Sequence, residues 1–256
     1  MRVYLMVRPR HLKDFPAEAK RAEALGFDGI TMLELTVPPT LSAVASAMTT
    51  TNVDLLTGIL VAFPRSPMAT AYDAWSIQSL SAGRFQLGLG PQTKSHLTRR
   101  WSTEAGPPVP RLREYIEAMR AIWDCWQNGT KLDYQGDFYN FSLMMPYYDP
   151  GPIEYGEIPV YIAAINKFML RLTGEIADGH IPGDPVTYKW FCEVMLPNLE
   201  IGAKRAGRTL TDIDLGGHGF IGASKTPSGL DVFASILNDL SHPVVLIRSG
   251  ISRRAR

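Results

Sequence analysis

The 256-residue chain is 45% hydrophobic and 20% charged, and its 26 Lys and Arg against 25 Asp and Glu leave a formal net charge of +1, a balance that does not predict nucleic acid or an anionic membrane as the main partner. No stretch approaches the ~20 apolar residues of a membrane span, and the first residues carry no signal-peptide-like run, so a soluble cytoplasmic protein is expected. Cys125 and Cys192 lie far apart, fit no metal spacing and read as buried free thiols.

The first ninety residues alternate apolar and amphipathic runs. Val3–Val7 predicts a strand. Asp14 as N-cap, Pro16 in the first turn and Ala17, Ala19, Ala22, Ala24 and Leu25 predict a helix closed by Gly26. Gly29–Leu33 predicts the next strand and delivers Glu34 at its carboxyl end, and Pro38 and Pro39 open a helix through Met48. A β-rich run, Val53–Phe63, ends in the turn Pro64-Arg65-Ser66-Pro67. An amphipathic run with Ala71, Trp75, Ile77, Gln78 and Leu80 follows, and Gly83 stops it before a strand at Phe85–Leu89. Strand, helix, strand at this spacing is a βαβ unit with parallel strands and a right-handed crossover. Repeated, it predicts a parallel sheet covered by helices.

The rhythm then changes. Lys94–Trp101 reads as a polar, basic loop, and Gly106-Pro107-Pro108 breaks the chain. Arg111–Trp126 predicts a helix with Leu112, Ile116, Met119, Trp123 and Trp126 on one face. An insertion spans about residues 127–158: Tyr134–Tyr139 alternates like a small hairpin, Met145–Pro159 has no period, and the length suggests a lid or a partner contact. Pro159–Ile165 predicts a fifth strand and Phe168 onward a helix. A sixth strand follows at Ala177–His180, then a helix Tyr188–Ala206 ended by Gly207, and a seventh strand within Asp212–Ile221. In a divergent, shortened segment 224–256, Leu230–Leu240 reads as a helix and Val244–Ile247 as an eighth strand, parallel like the others.

Taken together, Thr57-Gly58-Ile59, Pro64-Arg65-Ser66-Pro67, Leu80-Ser81-Ala82-Gly83-Arg84-Phe85 and Leu87-Gly88-Leu89-Gly90 resemble, in order and spacing, the luciferase-like monooxygenase superfamily. The closest likeness is to its deazaflavin (coenzyme F420)-dependent oxidoreductase branch, from about Arg2 to Phe220. The resemblance implies one α/β domain over residues 1–256, a (β/α)8 TIM barrel of the bacterial-luciferase type or one left incomplete after Ile221. It also implies a homodimer paired through helices near the first strands, where the faces Ala43, Ala45, Ala47 and Ala71, Ala74 would permit close approach of a partner helix or equally pack against the barrel itself.

In such a barrel the working residues lie at the carboxyl ends of the strands, which selects Arg8, Glu34, Ala62 with Phe63, Gln92 with the loop to Arg100, Asn166, His180 and His218. The resemblance places a cofactor ring over Gly58 and Ile59, where relatives often carry a non-prolyl cis peptide, and against Gly88 and Gly90. The helix start at Asn166, Lys167 and Phe168 offers N–H groups to a phosphate, with Ala163 and Ala164 small enough for close approach; relatives usually have a Gly-Pro-like pair at Asn166-Lys167. Gln92, Lys94, His96, Arg99 and Arg100 suit an acidic cofactor tail. Glu34 is the first acid–base candidate, because a pocket at the strand end would raise its pKa; His96, His180 and His218 are alternates. Better-known deazaflavin dehydrogenases carry a His just beyond the second strand, and here Leu35-Thr36-Val37 stands instead, so their alcohol- or sugar-oxidising chemistry is not expected. No metal-binding cluster is expected.

The leading reading is an oxidoreductase using a bound deazaflavin or flavin for hydride transfer or monooxygenation of a small organic substrate, the protein orienting the cofactor. One alternative is an FMN-dependent monooxygenase fed by a separate reductase. Another is a non-catalytic flavin-binding or structural homodimer with a degenerate barrel.

Overall fold

The first four apolar runs become strands β1 (Arg2–Val7), β2 (Gly29–Met32), β3 (Asp54–Thr57) and β5 (Phe85–Gly90) in a computed structural model that describes residues 2–183, 187–219 and 244–249. A two-residue β4 (Leu60–Val61) follows a break at Gly58. Helices α1 (Phe15–Ala24), α2 (Pro39–Ala47) and α3 (Pro67–Leu80) connect the strands, which pair in parallel. Gly26 (φ +80°) and Gly83 (φ +82°) take the left-handed conformation that ends α1 and α3. Ser66 caps α3 by accepting from Ala69 N. Asp14 makes no such side-chain bond, because it closes a 3-10 turn, Leu12–Asp14, with helical dihedrals of its own.

The parallel run continues through β8 (Val160–Ala163), β9 (Gly179–Ile181) and β10 (Asp214–Gly219). With β11 formed by Val244–Ser249, the strand order β3-β2-β1-β11-β10-β9-β8-β5, with β3 also pairing β5, returns the sheet on itself. One strand corrects the expectation. β11 (Val244–Ser249) runs antiparallel to both neighbours, setting Arg248 opposite Arg2 and Gly216. A short apolar run specifies a buried strand and carries no information on its direction. The helix expected at Leu230–Leu240 lies outside the described residues.

The basic segment after β5 is a short helix, α4 (Lys94–Arg99), rather than a loop, anchored by the buried Leu97. The long amphipathic helix is α5 (Pro108–Asn128), ended by Gly129 at φ +68°. After α6 (Lys167–Ile176) and β9, the helix expected over Tyr188–Ala206 forms in three parts: α7 (Tyr188–Trp190), a π-helical turn Phe191–Met195, and α8 (Leu196–Arg205). Pro197 supplies the reason: it has no N–H for the preceding turn, and a π-turn lets the chain pass it.

Two apolar cores result. The larger lies between sheet and helices and takes in Ile30, Leu55, Phe85, Trp126 and Leu170. The smaller, inside the barrel, is Tyr4, Leu56, Tyr161 and Ile181. Gly29 and Gly179 make room for its tyrosines, since a Cβ there would lie 2.3 Å from the Tyr4 ring and 1.9 Å from that of Tyr161. Polar groups close the amino end: Arg2 bridges Asp54 at 3.0 Å and Asp214 at 2.5 Å, and the Tyr4 and Tyr161 hydroxyls donate to the same two carboxylates. Of the two uses open to the alanine faces of α2 and α3, packing against the barrel is the one seen. Ala43, Ala47, Ala71 and Ala74 are buried within the single chain.

The insertion is a strap on the outer wall. The hairpin β6 (Tyr134–Gln135) and β7 (Asn140–Phe141) is held at its tip by Glu114, which accepts from Asp137 N and Phe138 N. The returning chain descends along α3 and α5. Tyr72 donates to Tyr148 O, Trp75 to Gly151 O, Gln127 to Ile153 O and Gln78 to Glu157 O. These bonds satisfy carbonyls in a stretch with no ladder of its own, and they hold it against the barrel wall rather than across the mouth.

Candidate active site

The carboxyl ends of the strands form the mouth, and β3, β4, β5 and β8 supply its floor. The Gly58–Ile59 peptide is cis, at the break between β3 and β4. Thr57 bridges that break: its hydroxyl donates to Gly88 O at 2.9 Å and accepts from Gly88 N at 2.8 Å. Glycine is required opposite these groups. A Cβ on Gly88 would lie 1.9 Å from Thr57 O, one on Gly90 2.3 Å from Ile59 Cδ1, and one on Gly58 2.3 Å from Thr31 Cγ2. Gly58, Ile59, Gly88 and Gly90 are therefore brought together, and Ile59 covers Gly90, so the half-buried Ile59 is the apolar surface a flat ring would meet. The Thr31 hydroxyl is buried beside Gly58 and has no hydrogen-bond partner among the described residues.

The fifth-strand end differs in detail from the expectation. Ala163 packs against the inner cluster, while Ala164 is 2% exposed and belongs to the outer core. Alternation along a strand turns successive side chains to opposite faces, so Ala164 cannot offer its side chain to the mouth. Asn166 caps α6 with its own Oδ1, accepting from Phe168 N at 3.1 Å and Met169 N at 3.0 Å. Two N–H groups expected to be open to a phosphate are thus bonded already. What remains there is charge: Lys167 Nζ lies 5.2 Å and Arg171 Cζ 5.8 Å from the ring of the exposed Phe168.

Glu34 reaches the mouth from the end of β2 and is tightly held. Its Oε1 lies 2.5 Å from Arg65 Nη2, and its Oε2 accepts from Arg65 Nη1 at 3.1 Å and from Val61 N at 2.6 Å. Arg65, two residues past the end expected for its strand, was not among the candidates. Its signal was a charged residue between two prolines in Pro64-Arg65-Ser66-Pro67. Arg111, also missed, lies 4.3 Å from the Phe63 ring and donates to Tyr139 Oη and Glu104 O, tying the hairpin to the rim.

Gln92 sits at φ +64°, its amide oxygen accepting from Thr93 N. Beyond it Lys94, His96 and Arg99 are exposed on α4, and no side-chain partner is recorded for them among the described residues. Arg100 differs, donating from Nη2 to Leu35 O at 3.0 Å. Among the alternates, His180 is fully buried and bonds Ala164 O at 2.9 Å through Nε2, so it belongs to the packed layer. Among the described residues no helix is long and apolar enough to cross a membrane, and no group of three or more His, Cys, Asp or Glu is placed to hold a metal ion.

Residues 2–230 match the family model of the luciferase-like monooxygenases. The chain belongs to that family. It is 40% identical over 200 residues to an uncharacterized protein of Mycobacterium tuberculosis, covering 78% of this chain and 59% of that protein. It is 30% identical over 224 residues to an F420-dependent glucose-6-phosphate dehydrogenase of Intrasporangium calvum, covering 80% and 63%. This luciferase-like chain thus spans about three fifths of the length of the first curated relatives it matches. A monooxygenase from Streptomyces bottropensis superposes with a TM-score of 0.76 at 17% identity, covering 93% of this chain and 77% of that one, a likeness of fold. The luciferase-like barrel read from the sequence is therefore borne out, with the reversed β11 as its departure.

Proposed function

We propose that this protein is an oxidoreductase that binds a deazaflavin of the F420 type and carries out hydride transfer or monooxygenation on a small organic substrate, with FMN as the alternative cofactor. The observation that carries the reading is the exposed cationic pair Lys94 and Arg99, with His96 on the same helix, beside a floor of Gly58, Ile59, Gly88 and Gly90. An acidic cofactor tail gives those charges a use, and FMN, with one phosphate, does not. The 30% identity to an F420-dependent dehydrogenase supports the same choice. The cofactor, once bound, supplies the redox chemistry. The chain's own part is to present the Ile59 surface to a ring, to meet phosphate with Lys167 and the tail with α4, and to exclude water between them.

Titration of the purified protein with deazaflavin and, separately, FMN, followed in the visible spectrum, tests this. Deazaflavin binding that weakens as salt rises, with weaker and flatter FMN binding, is the expected result. A second reading, a non-catalytic homodimer, draws on the reversed β11, which departs from an all-parallel barrel. Failure of both cofactors to bind would favour it.

A further inference from the structure

The ion pair of Glu34 with Arg65 is one side of a closed circuit. Arg65 Cζ lies 5.5 Å from the Trp101 ring, and Arg100 Cζ lies 5.2 Å from the same ring. Arg100 then donates to Leu35 O, the residue next to Glu34. The circuit joins the loops that follow β2, β4 and β5. Among the described residues the buried Trp101 indole N–H has no hydrogen-bond partner, so the ring is held by its stacked guanidiniums and not through its N–H. Two guanidiniums on one indole repel each other, and the Glu34 carboxylate, with a side chain 4% exposed, offsets that repulsion. Arg65 is fixed further by donating to Val61 O at 2.9 Å.

We infer that Arg65 is a positioning residue that latches α4 over the barrel mouth, and that Glu34 acts through it rather than as the proton-transferring group. Glu34 spends both oxygens on three donors, so taking a proton would break the grip on Arg65 and on Val61 N together. Trp101 follows α4 by two residues, and gripping it fixes where Lys94, His96 and Arg99 point. A lysine cannot replace Arg65, because a single ammonium lacks the planar fork that binds a carboxylate in two places and stacks on a ring.

The test measures amide hydrogen exchange over residues 92–103 of the full chain, with residues 67–80 as the internal reference, in Arg65→Lys, Trp101→Leu and Glu34→Gln. Exchange over 92–103 is expected to rise about tenfold in all three while 67–80 stays at the wild-type rate. Trp101→Leu is the safeguard, since the Trp101 ring meets the two guanidiniums of the latch. Wild-type exchange in both Arg65→Lys and Trp101→Leu overturns the latch. Wild-type exchange in Glu34→Gln returns Glu34 to acid–base work and overturns its assignment here. A second arm rests on the proposed deazaflavin binding: Arg65→Lys should weaken it about fivefold and leave FMN affinity unchanged. If wild type binds neither cofactor, that reading of the function fails, and the exchange rates still decide the latch.

Discussion

Thr57 and Gly88 exchange two hydrogen bonds through one side-chain oxygen, at 2.9 and 2.8 Å, where β3 leaves its ladder with β5 and before β4 resumes it. Thr57 is fully buried, so Thr57→Val leaves a backbone N–H and a C=O unpaired away from water. Each costs ~1–3 kcal/mol, and a loss of about 2–4 kcal/mol in urea unfolding is the expected outcome. Thr57→Ser keeps the oxygen and should lose about 1 kcal/mol, for the methyl alone.

Helices α6 and α8 cross with their backbones in contact. A Cβ on Gly174 would lie 2.2 Å from Leu199 O, and one on Gly202 1.9 Å from Arg171 O. In an isolated helix Gly→Ala gains ~1 kcal/mol. Here the methyl meets backbone that cannot turn aside, so Gly174→Ala and Gly202→Ala should each cost about 1–3 kcal/mol. Thermal unfolding should fall by roughly 2–4 °C per kcal/mol at this chain length. A rise in Tm would show that the helices are free to separate.

Glu23 ties the end of α1 to the start of β3. Slight desolvation pushes its carboxyl up, but the N–H groups of Asn52, Thr51 and Val53 and the Arg84 charge pull it below the usual value of 4.5. A depressed carboxyl contributes stability above its unfolded pKa, and that contribution is lost as pH falls through the folded one. Glu23→Gln should therefore be less stable at pH 7 by about 1 kcal/mol or less, solvent screening reducing the effect. The gap between variant and wild type in urea midpoints should close on acidification below pH 4.5.

Arg99 and Arg100 are adjacent and should behave differently. Arg99 is exposed on α4, so Arg99→Ala removes charge alone and should weaken deazaflavin binding several-fold at low salt and little at high salt. Arg100 bonds Leu35 O and stacks on Trp101, so Arg100→Ala should also raise the protease sensitivity of residues 92–103. Equal behaviour of the two variants in both measurements would count against the assignment.

The homodimer expected from the resemblance has a simple check. With the alanine faces of α2 and α3 buried in the chain itself, pairing through this side would use exposed groups such as Leu41 and Met48, which are 49% and 72% exposed. Light scattering at micromolar concentration should give twice the 28.4 kDa chain mass.

Much of the barrel was legible because its strands are buried on both faces and read as unbroken apolar runs, as Leu5, Ile30, Leu55 and Leu87 show. The direction of β11 was not legible, since Val244–Ile247 gives the same pattern either way. At the mouth, the glycines of β3 and β5 could be read from order and spacing. The partner of Glu34 could not, because Arg65 lies 31 positions further along the chain and meets it only when the sheet brings the segments after β2 and β4 to one rim. The capping of α6 by Asn166 is legible in the residue type, since Asn is a favoured N-cap, and its Oδ1 takes two of the N–H groups that a phosphate would use.

The reversal of β11 also decides at which end of the barrel this strand finishes. Parallel strands all end at the mouth, so a parallel last strand would deliver Ser249 to the rim. Running antiparallel, β11 starts level with the end of β10, Val245 opposite Gly219, and finishes with Ser249 opposite Leu215 and Arg248 opposite Arg2, at the far face. A fluorophore or immobilisation tag joined just after Ser249 would therefore start on the side away from Gly58 and α4, leaving surface-bound protein with its mouth turned toward solution.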